Sequence, residues 1–195
     1  MNRLLLITLF LVFTKAAFAQ TGKDSVVYNL PVVNGKLTYT DSVKVKGHSK
    51  AALDTALKKW FLGYFKYYRP DTSAKNKDPK SSLLEQAILE FRMSTSSLGL
   101  VKYKFYLYIS IKVDTRDNAY NYKISDIFFS PESGTFRAIG YYQSSPDYLI
   151  DLYKQKHLGL GPSINMGRPK IREYLTRTND AIQACIASLN KAMTN

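Results

Sequence analysis

The stretch Val101–Val113 reads VKYKFYLYISIKV. Its odd positions are apolar: Val101, Tyr103, Phe105, Leu107, Ile109, Ile111 and Val113. Its even positions are Lys102, Lys104, Tyr106, Tyr108, Ser110 and Lys112. Side chains alternate between the two faces of a strand, so the pattern predicts a long strand with one buried and one wet face. On a helix the same apolar residues would be scattered around the axis. An antiparallel sheet with one covered face fits such a strand.

Working outward, Ala87, Leu89, Phe91 and Met93 alternate with Ile88, Glu90, Arg92 and Ser94 and form a second strand, joined to the first by a turn over Ser94–Gly99. On the other side, Asp114–Asn118 is a polar hairpin loop. Tyr120, Tyr122 and Ile124 then alternate, but the parity switches to Ile127 and Phe129, which predicts a β-bulge near Ser125-Asp126. Upstream, Leu37, Tyr39, Val43 and Val45 share one parity within Lys36–Lys46, with Asp41 on that same parity. Asn34-Gly35 marks a turn. Pro31 restricts any strand before it to a short or edge position. Arg69–Ser82 reads as a loop, and Phe136–Tyr142 is a candidate fifth strand.

Two helices stand out. Ser49 is a good N-cap for a helix whose apolar stripe is Leu53, Ala56, Leu57, Trp60, Phe61, Tyr64 and Phe65. The last helix carries Ile171, Tyr174, Leu175, Thr178, Ile182, Cys185, Ile186, Leu189 and Met193 on one face. Ser145-Pro146 can start a short helix over about Asp147–Lys156, and Gly159–Pro169 is irregular. The expected architecture is α+β in two layers: an antiparallel sheet of four to five strands covered on one face by two amphipathic helices, in the order β-α-β-β-β-(β)-α.

The chain begins Met1-Asn2-Arg3, continues with an uncharged run to Thr14, and reaches Ala17-Phe18-Ala19-Gln20. This is the pattern of a secretory signal peptide cleaved after Ala19, and it implies a secreted or periplasmic protein. The remaining 20–195 fit one domain, with 131–169 as an insertion. The formal charge of the full chain is +13, which attracts anionic partners. Cys185 is the single cysteine, so no intramolecular disulfide can form and the core must supply the stability. On its apolar stripe it reads as a buried small hydrophobe.

One segment carries a resemblance. LPVVNGKLTYTDSVKVKGHSKAALDTALKKWFLGYF, from Leu30 to Phe65, has the entry Pro31-Val32-Val33-Asn34-Gly35-Lys36, the helix start Gly47-x-Ser49 and the pair Trp60-Phe61. With the hairpin Val113–Tyr122, it resembles secreted bacterial domains of unknown function with a TBP-like (TATA-binding-protein-like) fold. The resemblance spans about Val26–Phe129. It implies a fold and no chemistry, because fold does not dictate function.

No motif announces catalysis. His48 and His157 are far apart with no cysteine beside them, so neither suggests a metal site. There is no G-x-S-x-G elbow and no phosphate-binding glycine pattern. Glu85 with Glu90, or Asp114 with Asp117, could pair as acid and base, but read more simply as solvated charges. Trp60 could stack on a ligand, though its spacing places it in the core. No enzyme activity, cofactor or specific nucleic-acid contact is expected.

The most suggestive group is the outer sheet face: Lys102, Lys104, Tyr106, Tyr108 and Lys112 on the long strand, with Arg92 and Lys44 beside them and Lys123, Lys36 and Lys46 as further candidates. Cations interleaved with tyrosines attract anions and stack flat rings. Such a face suits an envelope binding module for an anionic polysaccharide, a lipid head group or an envelope protein. The competing readings are a solvated face on a structural or stress-associated domain and an enzyme of unrecognised type.

Overall fold

The computed structural model describes residues 25–66, 68–70, 81–94, 102–131, 145–154 and 167–195. The chain divides into two compact units, 1–30 and 31–195. In the first, the described residues form one helical turn over 25–28, closed by Asn29 N–H donating to Ser25 O at 3.0 Å. The expected signal peptide, the Ser94–Gly99 turn, the candidate strand Phe136–Tyr142 and most of the 131–169 segment, including His157, lie outside the described residues.

The second unit begins with a hairpin, β1 (Val32–Val33) and β2 (Lys36–Leu37). Asn34 and Gly35 both have positive φ, 52° and 76°. That pair of conformations makes the tight turn whose twist matches a hairpin, and it favours Asn-Gly. The main sheet contains β3 (Tyr39–Lys44), β4 (Tyr68–Pro70), β5 (Leu83–Ser94), β6 (Lys102–Arg116) and β7 (Ala119–Pro131). Its order is β3-β7-β6-β5-β4, and every neighbouring pair is antiparallel. Helices α1 (Lys50–Tyr64), α2 (Pro146–Lys154) and α3 (Arg168–Thr194) complete the unit.

The long central strand is as the alternation predicts. Phe105, Leu107, Ile109, Ile111 and Val113 are buried, while Tyr106, Tyr108, Ser110 and Lys112 are half-buried on the other face. The helices pack on the apolar face. Tyr174 of α3 sets its ring edge-on against Phe105 and Phe129. All nine residues of the predicted α3 stripe are buried, along a helix about 40 Å long at ~1.5 Å per residue. On α1, Leu53, Leu57, Trp60 and Phe61 are buried. Each large aliphatic side chain so buried contributes roughly 1.5–3 kcal/mol before the entropy cost of ordering the chain. Ser49 caps α1 through Ala52 N–H, as its position predicts.

Polar atoms at the layer boundary are paired, as burial requires. The Tyr39 hydroxyl donates to Asn179 Oδ1 at 3.0 Å and the Tyr120 hydroxyl to Asn190 Oδ1 at 2.6 Å. Trp60 Nε1 donates to Ser188 Oγ at 3.1 Å. Three residues of α3 thus hold the polar tips of aromatic side chains from β3, β7 and α1. Burial raises the pKa of Tyr39 and Tyr174 and pushes Tyr120 up to about 12.

Several expectations need correction. Lys36–Lys46 is not one strand: β2 pairs with β1, and β3 pairs with β7. Leu37, Thr38 and Tyr39 are consecutively buried where the chain passes from hairpin to sheet, so strict alternation is lost. Asp41 shares the inward parity but is exposed, because β3 is the edge strand; its Oδ1 accepts from Ser42 N–H at 2.7 Å. Tyr68–Pro70 is not loop but the opposite edge strand, where proline costs no ladder bond. The short helix expected after Ser145-Pro146 is present as α2 and ends at Lys154: Ser145 Oγ accepts from Asp147 N–H, and Asp147 Oδ1 accepts from Leu37 N–H at 2.6 Å. The β6–β7 loop is shorter than expected, since the strands run to Arg116 and from Ala119.

That turn has a structural task. Asp117 Oδ1 accepts from Lys50 N–H at 2.7 Å, at the start of α1. Asn118 accepts from Val45 N–H and Gly47 N–H and donates to His48 O. Nearby, Asp54 of α1 accepts from the Thr115 hydroxyl, which pairs with Ser82 Oγ at 2.6 Å. Burial alone would raise the Asp54 pKa. Hydrogen bonds from Lys50, Thr115 and Ser82, with the charge of Lys50, outweigh it and hold the carboxyl below its usual value.

Candidate functional site

The register fixes what stands on the sheet face that no described helix covers. Across β3, β7, β6 and β5, one row is Thr40, Lys123, Lys112 and Leu84. The next row along pairs Ser125 with Ser110 and Ser110 with Gln86. The row after that is Phe128, Tyr108 and Ile88. Phe128 is 42% exposed, and its ring stacks on Tyr108 with centroids 4.7 Å apart and planes 6° from parallel.

The shift between the last two rows is the predicted bulge. The β6–β7 register slips between Tyr108 and Ser110, and Asp126 has φ 50°. An extra residue in one strand forces such a slip, and Asp tolerates the left-handed conformation better than most residues. After the bulge, Ile127 and Phe129 turn inward and Phe128 turns outward.

Beside the bulge lies a depression of about 350 Å³. Lys112 and Lys123 stand on one side of it, Ser110 and Ser125 on another, with Gln86 and Asp126 also contributing. Lys123 is exposed and forms no ion pair among the described residues; Lys112 Nζ lies 3.8 Å from Asp114 Oδ2. Two like charges directly opposite each other on a sheet repel.

Of the residues expected on this face, Tyr106, Tyr108 and Lys112 occupy its middle. The register places Lys104 opposite Arg92 and Lys102 opposite Ser94 toward one end, and Lys44 opposite Ala119 at the other end. Lys104 and Lys112 are about 26 Å apart along β6 at ~3.3 Å per residue. Lys36 and Lys46 lie outside the main sheet. Gln86, Ser110, Ser125 and Phe128 were not anticipated as a group. The parity switch at Ser125-Asp126 already implied an outward Phe128; the depression depends on neighbours from other strands.

The acids have other surroundings. Asp114 belongs to β6, not to the hairpin tip, and Asp117 caps α1. His48 Nδ1 lies 3.2 Å from Lys46 O at the turn before α1. Among the described residues, no group of three or more His, Cys, Asp or Glu side chains could hold a metal ion. Trp60 is buried and hydrogen-bonded, in agreement with a packing role. Cys185 is also buried, and burial pushes its thiol up to about 12. No described helix is long and apolar enough to cross a membrane.

No family profile matches the sequence, and neither does any curated protein sequence. Solved structures do match. A TBP-like protein from Parabacteroides distasonis superposes with a TM-score of 0.55 and 17% identity, over 85% of this chain and 97% of that one. The chain has the TBP-like fold. A DUF4468 family protein from Bacteroides ovatus is also similar, with a TM-score of 0.57 and 15% identity over 85% of this chain and 91% of that one. The expected α+β TBP-like architecture is therefore observed, and the shared feature is fold.

Proposed function

We propose that this TBP-like chain is a secreted or periplasmic, non-enzymatic binding domain whose uncovered sheet face takes an anionic glycan. The observation that carries this reading is the Lys112–Lys123 pair, held directly opposite in register at the edge of a depression. Like charges so placed repel each other, and an anion bound between them relieves that repulsion. Serine and glutamine beside the lysines supply hydrogen-bonding groups for hydroxyls. The Tyr108–Phe128 stack supplies an apolar surface one row away. The basic net charge of the chain favours encounter with an acidic polymer.

The test uses alginate, a polyuronate, titrated into the purified chain over a salt series. The variant Lys112→Ser/Lys123→Ser is compared with Lys58→Ser/Lys59→Ser, which removes the same charge from exposed positions of α1. Binding that weakens with salt and is lost only in the sheet variant supports the site. Equal loss in both variants would reduce the effect to net charge. No binding by the unaltered chain would leave a structural role.

A further inference from the structure

The geometry points to a ligand that carries sparse charge on a hydroxyl-rich ring, such as a uronic acid, rather than a densely sulfated or phosphorylated polymer. This rests on the proposed sheet-face site and narrows its ligand. The depression is not purely basic: Asp126 lines it together with Lys112 and Lys123, so an acid stands beside the two cations. A dense polyanion entering it would meet the Asp126 carboxylate as well as two ammonium groups. A ring with one carboxylate and several hydroxyls meets complementary chemistry throughout. The lysines donate to the carboxylate, and an ionised acid, which is acceptor-only, accepts a hydrogen bond from a hydroxyl.

The bulge is what brings Asp126 to this place. Its φ of 50° sets it in a conformation that most residues avoid, and it is exposed at the rim, with its Oδ2 accepting from Ser125 Oγ at 3.2 Å. Bulges re-aim side chains next to functional sites. Phe128, two residues further on, stands exposed in the next row with Tyr108, and a pyranose ring has apolar C–H faces that pack on aromatic rings. The volume of about 350 Å³ lies at the small end of ligand sites and has room for a short stretch of sugar.

Asp126→Asn is the informative substitution, because Asn also tolerates left-handed backbone and the bulge is kept. Binding of alginate and of dextran sulfate is measured at matched salt for the unaltered chain, Asp126→Asn and Lys112→Ser/Lys123→Ser. The unaltered chain is expected to prefer alginate. Asp126→Asn should move the affinity ratio toward dextran sulfate by about two- to fivefold, the effect of one exposed charge contact. The lysine variant should lose both ligands. Preference for dextran sulfate in the unaltered chain, or no change of ratio in Asp126→Asn, overturns the uronate assignment while loss in the lysine variant still upholds the site. Insensitivity of both ligands to the lysine variant overturns the site itself.

Discussion

Replacing Tyr120 by Phe removes one hydroxyl from the boundary between sheet and helices and leaves the ring in place. Tyr120 is fully buried, and its hydroxyl is 2.6 Å from Asn190 Oδ1 on α3. The net contribution of such a bond is roughly 0.5–1.5 kcal/mol. Asn190 is half-buried, so its freed oxygen can turn to water and the full cost of a stranded acceptor is not incurred. The expected loss is about 1 kcal/mol, against about 3–5 kcal/mol for Tyr120→Ala, which also empties the ring's volume. Urea unfolding followed by far-UV circular dichroism gives both values. The pH dependence supplies a second check. The folded pKa is raised from 10.0 to about 12, so the folded state holds the proton more tightly than the unfolded chain. That stability is fully present below pH 10 and is lost as pH rises through about 12. Phe has no proton to lose, so the gap between wild type and Tyr120→Phe should narrow over this window. A gap that widens there, or a neutral-pH loss as large as that of Tyr120→Ala, would refute the account of Tyr120 as a packed ring with one net-favourable hydrogen bond.

Two further outcomes follow from the same packing. Asp117→Ala removes the carboxylate that accepts from Lys50 N–H and should cost about 1 kcal/mol, the usual size of a helix-start cap, in urea unfolding; no loss would mean that Ser49 alone satisfies this end of α1. Cys185 should resist a thiol reagent at neutral pH while the chain is folded and react once it is unfolded, since burial both shields the sulfur and holds the thiol protonated; rapid labelling of the folded chain would contradict the packing of α3.

The two elements read most fully from sequence are those whose burial is set by their own periodicity. The α3 stripe from Ile171 to Met193 and the β6 alternation from Phe105 to Val113 each bury a continuous apolar row against another layer, and a shift of either would expose that row. The bulge at Ser125-Asp126 was legible for the same reason, because a parity switch inside a buried strand needs an extra residue. Where local patterning is weak, position in the sheet decides. Tyr68–Pro70 has no alternation of its own and becomes a strand by pairing with Glu85–Ala87. Asp41 keeps an inward parity without burial because β3 is the edge strand of the described sheet.

The candidate site divides along the same line. The sequence by itself determined that Lys112, Tyr106 and Tyr108 share the uncovered face, since strand periodicity assigns faces within one segment. It also determined the α+β layering, because one-sided strands and amphipathic helices can bury their apolar surfaces only against each other. Only the tertiary structure decided that Lys123 stands opposite Lys112, that Phe128 stacks on Tyr108, and that Lys102, Lys104 and Lys44 lie toward the two ends of the face. Those relations depend on strand order and register, which are set by the sum of contacts along whole strands and by the slip at one bulge, and no single segment carries that information.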